Sequence, residues 1–290
     1  MKSNNSEKWL DKSEYPFESK FIDLKNGRMH YNDEGAGEIV LFVHGTPTWS
    51  FLYRNYIKEL SKTNRCIAID NLGFGLSENQ IRFDGTPQSH SDNLIEFMEK
   101  MGLVNINLVV HDFGGPIGLS AAIAQHNRIS KIIMFNTWLW ETKSNKDVVK
   151  IDKVINSFIG KFMYMKLNFS AKVLLKKGFY NNGLLTKKLH SQYIGPFLES
   201  SSRNSTYNLA KSLLGSSDWY EKQWQNLDNI SDKKWLILWG TKDSFLTTEY
   251  LKKWRTKLPN ARAVELESGH FLQEEEFDKT LAEINLFLNN

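Results

Sequence analysis

The stretch Ile106-Asn107-Leu108-Val109-Val110-His111-Asp112-Phe113-Gly114-Gly115-Pro116-Ile117-Gly118 decides how this chain is read. Its first five residues form a short apolar run bounded by turn-forming residues, the signature of a buried strand. The glycine pair, the proline and Gly118 then open a helix that the Ala-rich Ser120-Ala121-Ala122-Ile123-Ala124 continues. A sharp strand-to-helix turn presents one side chain at its apex, and here that side chain is the carboxylate of Asp112. The serine motif G-x-S-x-G occurs nowhere in the 290 residues. A serine at such an apex suits attack on an acyl carbon. A carboxylate suits displacement at a saturated carbon, giving an enzyme ester that water must then cleave.

Working outward, dense apolar runs recur at Glu38 to Val43, Cys66 to Ile69 and Lys131 to Phe135, and again at Lys234 to Trp239 and Ala263 to Leu266. Helical patterns separate them: Trp49 to Leu60, Gln88 to Met101, Pro116 to Gln125, Thr247 to Leu258 and a last helix ending at Leu288. Strands alternating with helices imply an α/β fold, a mostly parallel sheet covered on both faces. Phe21 to Tyr31, with Asn26-Gly27 at its centre, reads as a hairpin. From Trp138 to Asp228 the rhythm breaks, leaving helical periodicity, many aromatics and no strand-like run. The expected organisation is a core formed by residues 1–137 and 229–290, interrupted by a helical cap over 138–228.

Composition agrees with one well-packed domain. Apolar residues make up 41% and aromatics 13%, enough for a sizeable core. The opening Met1-Lys2-Ser3-Asn4-Asn5-Ser6-Glu7-Lys8 is polar and no run has the length of a membrane span. The single Cys66 lies in a strand-like run and cannot form an internal disulfide. A cytoplasmic setting with no membrane engagement is expected from these features. The net charge of +4 gives no case for nucleic acid. Its excess is local: between Thr142 and His190 there are eleven lysines, no arginine, and only Asp147 and Asp152 as acids. Spaced among aliphatic and aromatic residues, these lysines read as the solvated face of amphipathic helices.

Ligands of open parallel sheets bind beyond the carboxyl ends of the strands. The residues leaving the expected strands there are His44, Asp70, Asp112, Asn136, Asp243 and, after the last strand, His270. This set contains a nucleophile, an acid and a base in the order Asp112, Asp243, His270. Asp112 would attack, His270 would deprotonate the hydrolytic water, and Asp243 would orient the imidazole. His44 and His111 read as structural, and Asp70 as shaping its own loop. His44-Gly45-Thr46-Pro47 supplies the remaining part. The backbone N–H groups of Thr46 and Phe113 would form an oxyanion hole, and a cis bond before Pro47 is compatible with this turn. No His, Cys or carboxylate cluster has metal-ligand spacing, and Gly73-Phe74-Gly75 lacks the third glycine of a dinucleotide fingerprint. Neither metal nor cofactor is expected.

Together, these segments resemble the haloalkane dehalogenases of the α/β-hydrolase fold, with the epoxide hydrolases as near relatives. The resemblance rests on Tyr15-Pro16-Phe17, Arg28-Met29-His30-Tyr31, His44 to Ser50, Asp70 to Ser77, His111 to Gly115, Trp239 to Asp243, and Gly269 to Glu275. It spans most of the core and little of the cap. It implies a cofactor-free hydrolase acting on a small hydrophobic organic substrate with water; nothing in it fixes an oligomeric state. Some relatives carry the acid after the strand ending near Phe135, where this chain has Asn136, so Asp243 takes that role.

Two departures stand out. The resemblance implies a tryptophan after the nucleophile, its indole N–H binding the departing halide, and an Asn or Glu between Gly45 and Pro47. This chain has Phe113 and Thr46 there. Trp138 and Trp140 are the candidates for leaving-group or substrate contact in their place. An epoxide hydrolase would need cap hydroxyls above Asp112, for which Tyr164, Tyr180, Tyr193 and Tyr207 are available. A β-lactone-opening enzyme would use the same three residues, whereas a binding protein would not need them all.

Overall fold

The computed structural model describes residues 8–80 and 82–290; all but the last residue of the polar opening segment lies outside them. The chain forms one nine-stranded sheet: β1 (Lys20–Leu24), β2 (Gly27–Gly35), β3 (Ile39–Val43), β4 (Arg65–Ile69), β5 (Glu78–Asn79), β6 (Ile106–Val110), β7 (Ile129–Phe135), β8 (Lys234–Gly240) and β9 (Arg262–Leu266). Their spatial order is β1-β2-β4-β3-β6-β7-β8-β9, with β5 paired to β2. From β4 to β9 every neighbouring pair is parallel, and only the pairs made by β2 are antiparallel. The hairpin expected at Asn26-Gly27 joins β1 to β2, with Leu24 opposite Gly27.

Both faces of the sheet are buried, and this explains why its strands read as continuous apolar runs. Leu41 and Val43 of β3 enter one core with Leu108 and Val110 of β6. Val40, Phe42 and Val109 enter the other. The first core is covered by α2 (Pro87–Lys100) and α3 (Gly114–Ala124), the second by α1 (Arg54–Leu60) and α12 (Phe277–Leu288). Two more helices, α10 (Thr248–Lys257) and α11 (Leu272–Glu275), flank β9 in sequence. Helix α3 is buried along nearly its whole length, as an apolar and Ala-rich helix permits. It begins at Gly114, two residues before the expected start. The helix read from Trp49 divides instead into a 3-10 turn (Ser50–Tyr53) and α1. Trp49, Phe51 and Tyr53 are all buried, so packing of large side chains sets that turn.

Between β7 and β8 no strand occurs among the described residues. The chain forms α4 (Lys146–Ile155), α5 (Phe158–Leu167), a π-turn (Ser170–Leu174) running into α6 (Leu175–Gly178), then α7 (Lys187–Ile194), α8 (Asn204–Gly215) and α9 (Ser217–Gln225). Asn145 and Ser157 cap α4 and α5 by accepting from backbone N–H groups of their first turns. Ile155, Tyr164, Tyr207 and Ala210 form a small separate core that ties α4, α5 and α8 together. None of the described helices is long and apolar enough to cross a membrane.

Candidate active site

The sheet reverses its winding between β3 and β6: the chain goes from β3 outward to β4, then returns across to β6. Loops leaving two such strands diverge and open a crevice at their carboxyl ends. Thr46 leaves β3 there and Asp112 leaves β6. Asp112 sits at φ 52°, the left-handed region that a non-glycine residue enters only in a sharp turn. The glycines around it are required by close approach. A Cβ at Gly45 would overlap the Asp112 carboxylate, and one at Gly115 would overlap the Thr137 hydroxyl.

Each oxygen of Asp112 has its own partner. Oδ1 accepts from the Thr46 N–H at 2.7 Å. Oδ2 lies 3.5 Å from His270 Nε2. The other ring nitrogen of His270, Nδ1, is 2.7 Å from Asp243 Oδ2. Asp243 is held by four donors or near-donors: His270, the Asn136 amide at 2.8 Å on Oδ2, and the N–H groups of Phe245 at 2.7 Å and Leu246 at 3.1 Å on Oδ1. The structure therefore brings Asp112, His270 and Asp243 into one chain of contacts. The Thr46–Pro47 bond is cis, and Phe113, whose side chain is buried, is the residue immediately before α3.

Burial by itself would push the His270 imidazole down. The anionic charges of Asp243 and Asp112 outweigh it and raise its pKa to about 10. With both carboxylates ionised, His270 is an imidazolium at neutral pH. His111 differs. Its ring stands 4.5 Å from that of His270, its nitrogens have no hydrogen-bond partner, and burial and the neighbouring His270 hold it well below the ordinary value. His111 thus makes no hydrogen bond and serves as a neutral packing ring. His44 does carry such bonds: Nδ1–H donates to Gly45 O at 2.7 Å and Nε2 accepts from the Asn71 N–H at 2.9 Å. Asp70 shapes its loop by accepting from Ser50 N and Leu76 N, both at 2.8 Å.

Asp112 and His270 open into a cavity of about 690 Å³ with mainly apolar walls, drawn from the strand ends and from α4, α5 and α8. Thr46, Phe113, Trp138, Tyr164 and Tyr250 are among the residues that line it with Asp112. The Trp138 ring packs edge-on against Phe113, centroids 4.9 Å apart, and its Nε1 is buried without an acceptor. Trp140 is placed elsewhere. It packs among Trp224, Tyr250 and Trp254 beneath the Lys253 ammonium and does not line the cavity. Of the four tyrosines, only Tyr164 lines the cavity. Tyr207 donates to Ile155 O, Tyr193 bonds Glu274 in the core, and Tyr180 is exposed.

Sequence reading missed the support of Asp243. Its Oδ1 closes a turn on the N–H groups two and three residues ahead, a habit of aspartate that Asp243-Ser244-Phe245-Leu246 signals. It also gave Asn136 no part beyond its failure as an acid, although that side chain bonds both Asp243 and Gly240.

A family model described as alpha/beta hydrolase fold matches residues 38–277. The chain belongs to the alpha/beta hydrolase fold family. Within that family, haloalkane dehalogenase 2 of Mycobacterium tuberculosis is 31% identical over 275 residues, covering 93% of this chain and 94% of the relative. The cis-3-alkyl-4-alkyloxetan-2-one decarboxylase of Shewanella oneidensis is 29% identical over 286 residues, covering 94% of this chain and 89% of the relative. Among solved structures, haloalkane dehalogenase DatA of Agrobacterium tumefaciens superposes with a TM-score of 0.83 at 23% identity, covering 94% of this chain and 96% of that one. At that identity the superposition speaks for the fold alone.

Proposed function

We propose that this protein hydrolyses the carbon–halogen bond of small hydrophobic substrates through an ester formed on Asp112. The observation that carries this reading is the division of labour at the Asp112 carboxylate. Oδ1 is fixed by the Thr46 N–H, while Oδ2 faces His270 and the cavity. Oδ2 attacks the carbon from the side opposite the halogen, the C–O bond forms and halide leaves. The Trp138 N–H is the donor for the departing anion, because it is the buried indole N–H beside Phe113 that has no acceptor within the protein. Oδ1 becomes the carbonyl oxygen of the ester, in a hole formed by the N–H groups of Thr46 and Phe113.

Ester formation removes one of the two anions that raise His270. Its pKa falls, the imidazolium releases its proton to solvent, and the ring becomes a base. His270 then takes a proton from water as the hydroxide adds to the ester carbon. The tetrahedral species expels the alkoxide, which takes that proton and leaves as the alcohol. The carboxyl proton passes to His270, regenerating the anion of Asp112 and the imidazolium. Asp243 holds the ring in place throughout. In this reading residues 138–228 are the cap that closes the cavity over the two core segments.

Opening of a β-lactone by the same carboxylate is the second reading, favoured by the decarboxylase relative that spans nearly the whole chain. One experiment separates the two. His270→Gln is incubated with bromoalkanes and β-lactones of distinct mass, and intact mass and free halide are measured. The expected result is an alkyl adduct with one halide released per adduct, both lost in the Asp112→Asn, His270→Gln double variant. A lactone adduct without any from bromoalkanes would replace the first reading with the second. An adduct that persists in the double variant would refute both.

A further inference from the structure

Helices α4 and α5 bury Val148, Ile155 and Tyr164 but leave several other apolar residues in solvent. Phe158 is 84% exposed, Ile159 67% and Val154 56%, and Ile151, Phe162 and Leu167 are exposed beside them on α4 and α5. A lone exposed apolar residue is ordinary, but a contiguous patch marks a contact surface. The patch is continuous with the cavity, because Ile151 and Val154 also line it.

The charge on these helices identifies the partner. Lys153, Lys161 and Lys166 are exposed on the same two helices, while Asp147 pairs with Lys150 and Asp152 accepts from Asn156. A second copy in a two-fold contact would set this cationic surface against itself. An anionic lipid surface meets both halves of the pattern, phosphate opposite the lysines and acyl chains opposite Phe158 and Ile159. We propose that α4 and α5 dock on an anionic bilayer, so that apolar substrate dissolved in the membrane enters the cavity directly. Docking replaces the expectation, drawn from the lack of a spanning segment, that no membrane is engaged. It is independent of the chemistry at Asp112, and only the delivery of substrate rests on the proposed function.

The test is co-sedimentation of the full chain, without substrate, with vesicles of phosphatidylcholine alone or mixed equally with phosphatidylglycerol. Binding is expected to the mixed vesicles at about 0.1 M salt and to weaken as salt rises. Lys161→Gln with Lys166→Gln should lower the partition coefficient on the order of 25-fold, about fivefold per lysine. Phe158→Ser with Phe162→Ser should lower it by at least about tenfold. All four residues are exposed and outside the cavity wall, so circular dichroism and thermal midpoints should match the parent. Failure of the parent chain to bind mixed vesicles would overturn the proposal, as would undiminished binding by either double variant. A concentration-dependent dimer lost on Phe158→Ser would overturn it in favour of self-association.

Discussion

Replacing Asp112 by Asn tests the charge coupling at the centre of the site without any substrate. The amide keeps the size of the carboxylate and removes its charge, as an alkyl ester would. Asp112 Oδ2 lies 3.5 Å from His270 Nε2. At an effective dielectric of about 20, two unit charges at that separation interact by about 5 kcal/mol. That corresponds to roughly three and a half pH units in the His270 midpoint, and solvent reaching the 14% exposed Asp112 side chain reduces it somewhat. The expected outcome is a fall of about two to three pH units from the parent value of about 10. The remaining Asp243 charge keeps the imidazole protonatable, so the variant titrates near neutrality. Long-range proton–nitrogen correlation spectra of the imidazole, followed from about pH 5 to pH 11, measure both midpoints and report which nitrogen loses its proton. Midpoints agreeing within about half a pH unit would refute the coupling. Ester formation would then not convert His270 into a base.

Three further outcomes follow from the same geometry. Trp138→Phe removes an N–H that has no partner in the protein; the alkylation rate with bromoalkanes in the His270→Gln background should drop about 10- to 100-fold, and an unchanged rate would exclude this indole as the leaving-group donor. Arg54 donates to both oxygens of Glu274 at 2.5 and 2.9 Å in the core; Arg54→Met should cost about 3–5 kcal/mol in urea denaturation by leaving a buried carboxylate uncompensated, and a loss near zero would contradict this. His270 has a higher pKa folded than unfolded, so its contribution to stability is complete below its unfolded value, near 6.5, and is lost as pH rises toward about 10; thermal midpoints should decline over that window, less steeply in Asp112→Asn, and parallel curves would count against the assignment.

The sheet was legible because its strands are buried on both faces. Short apolar runs such as Ile106 to Val110 appear as uninterrupted blocks, and the turn after each could be located to within a residue or two. The three polar residues of the site followed from their positions at strand ends. The helical insertion was legible only as a class. Its division depends on features with no periodic signal: Asn168 in the left-handed region at the end of α5 and the π-turn over Ser170–Leu174. The Arg54–Glu274 pair joins residues 220 apart in the chain, which no local pattern encodes. On α5 the periodicity misled. Lysines among Phe158, Ile159 and Phe162 read as a solvated polar face over a buried apolar one, yet the helix exposes both.

Asn136 shows why the site needs a neutral residue between its two carboxylates. It leaves β7, which lies between β6 and β8, so it sits between the strands carrying Asp112 and Asp243. Its backbone oxygen accepts the Asp112 N–H at 3.0 Å, fixing the strained elbow. Its amide donates to Asp243 Oδ2 at 2.8 Å, and its Oδ1 accepts the Gly240 N–H at 2.8 Å. A carboxylate at this position would set an acceptor against Asp243 at hydrogen-bond distance, and like charges that close cannot both ionise. Asp243 would then share a proton and stabilise the imidazolium of His270 less. The amide supplies a donor on one side and an acceptor on the other. It thereby joins the two strand ends and adds no third charge beside Asp112 and Asp243, which the proposed change of His270 from acid to base requires.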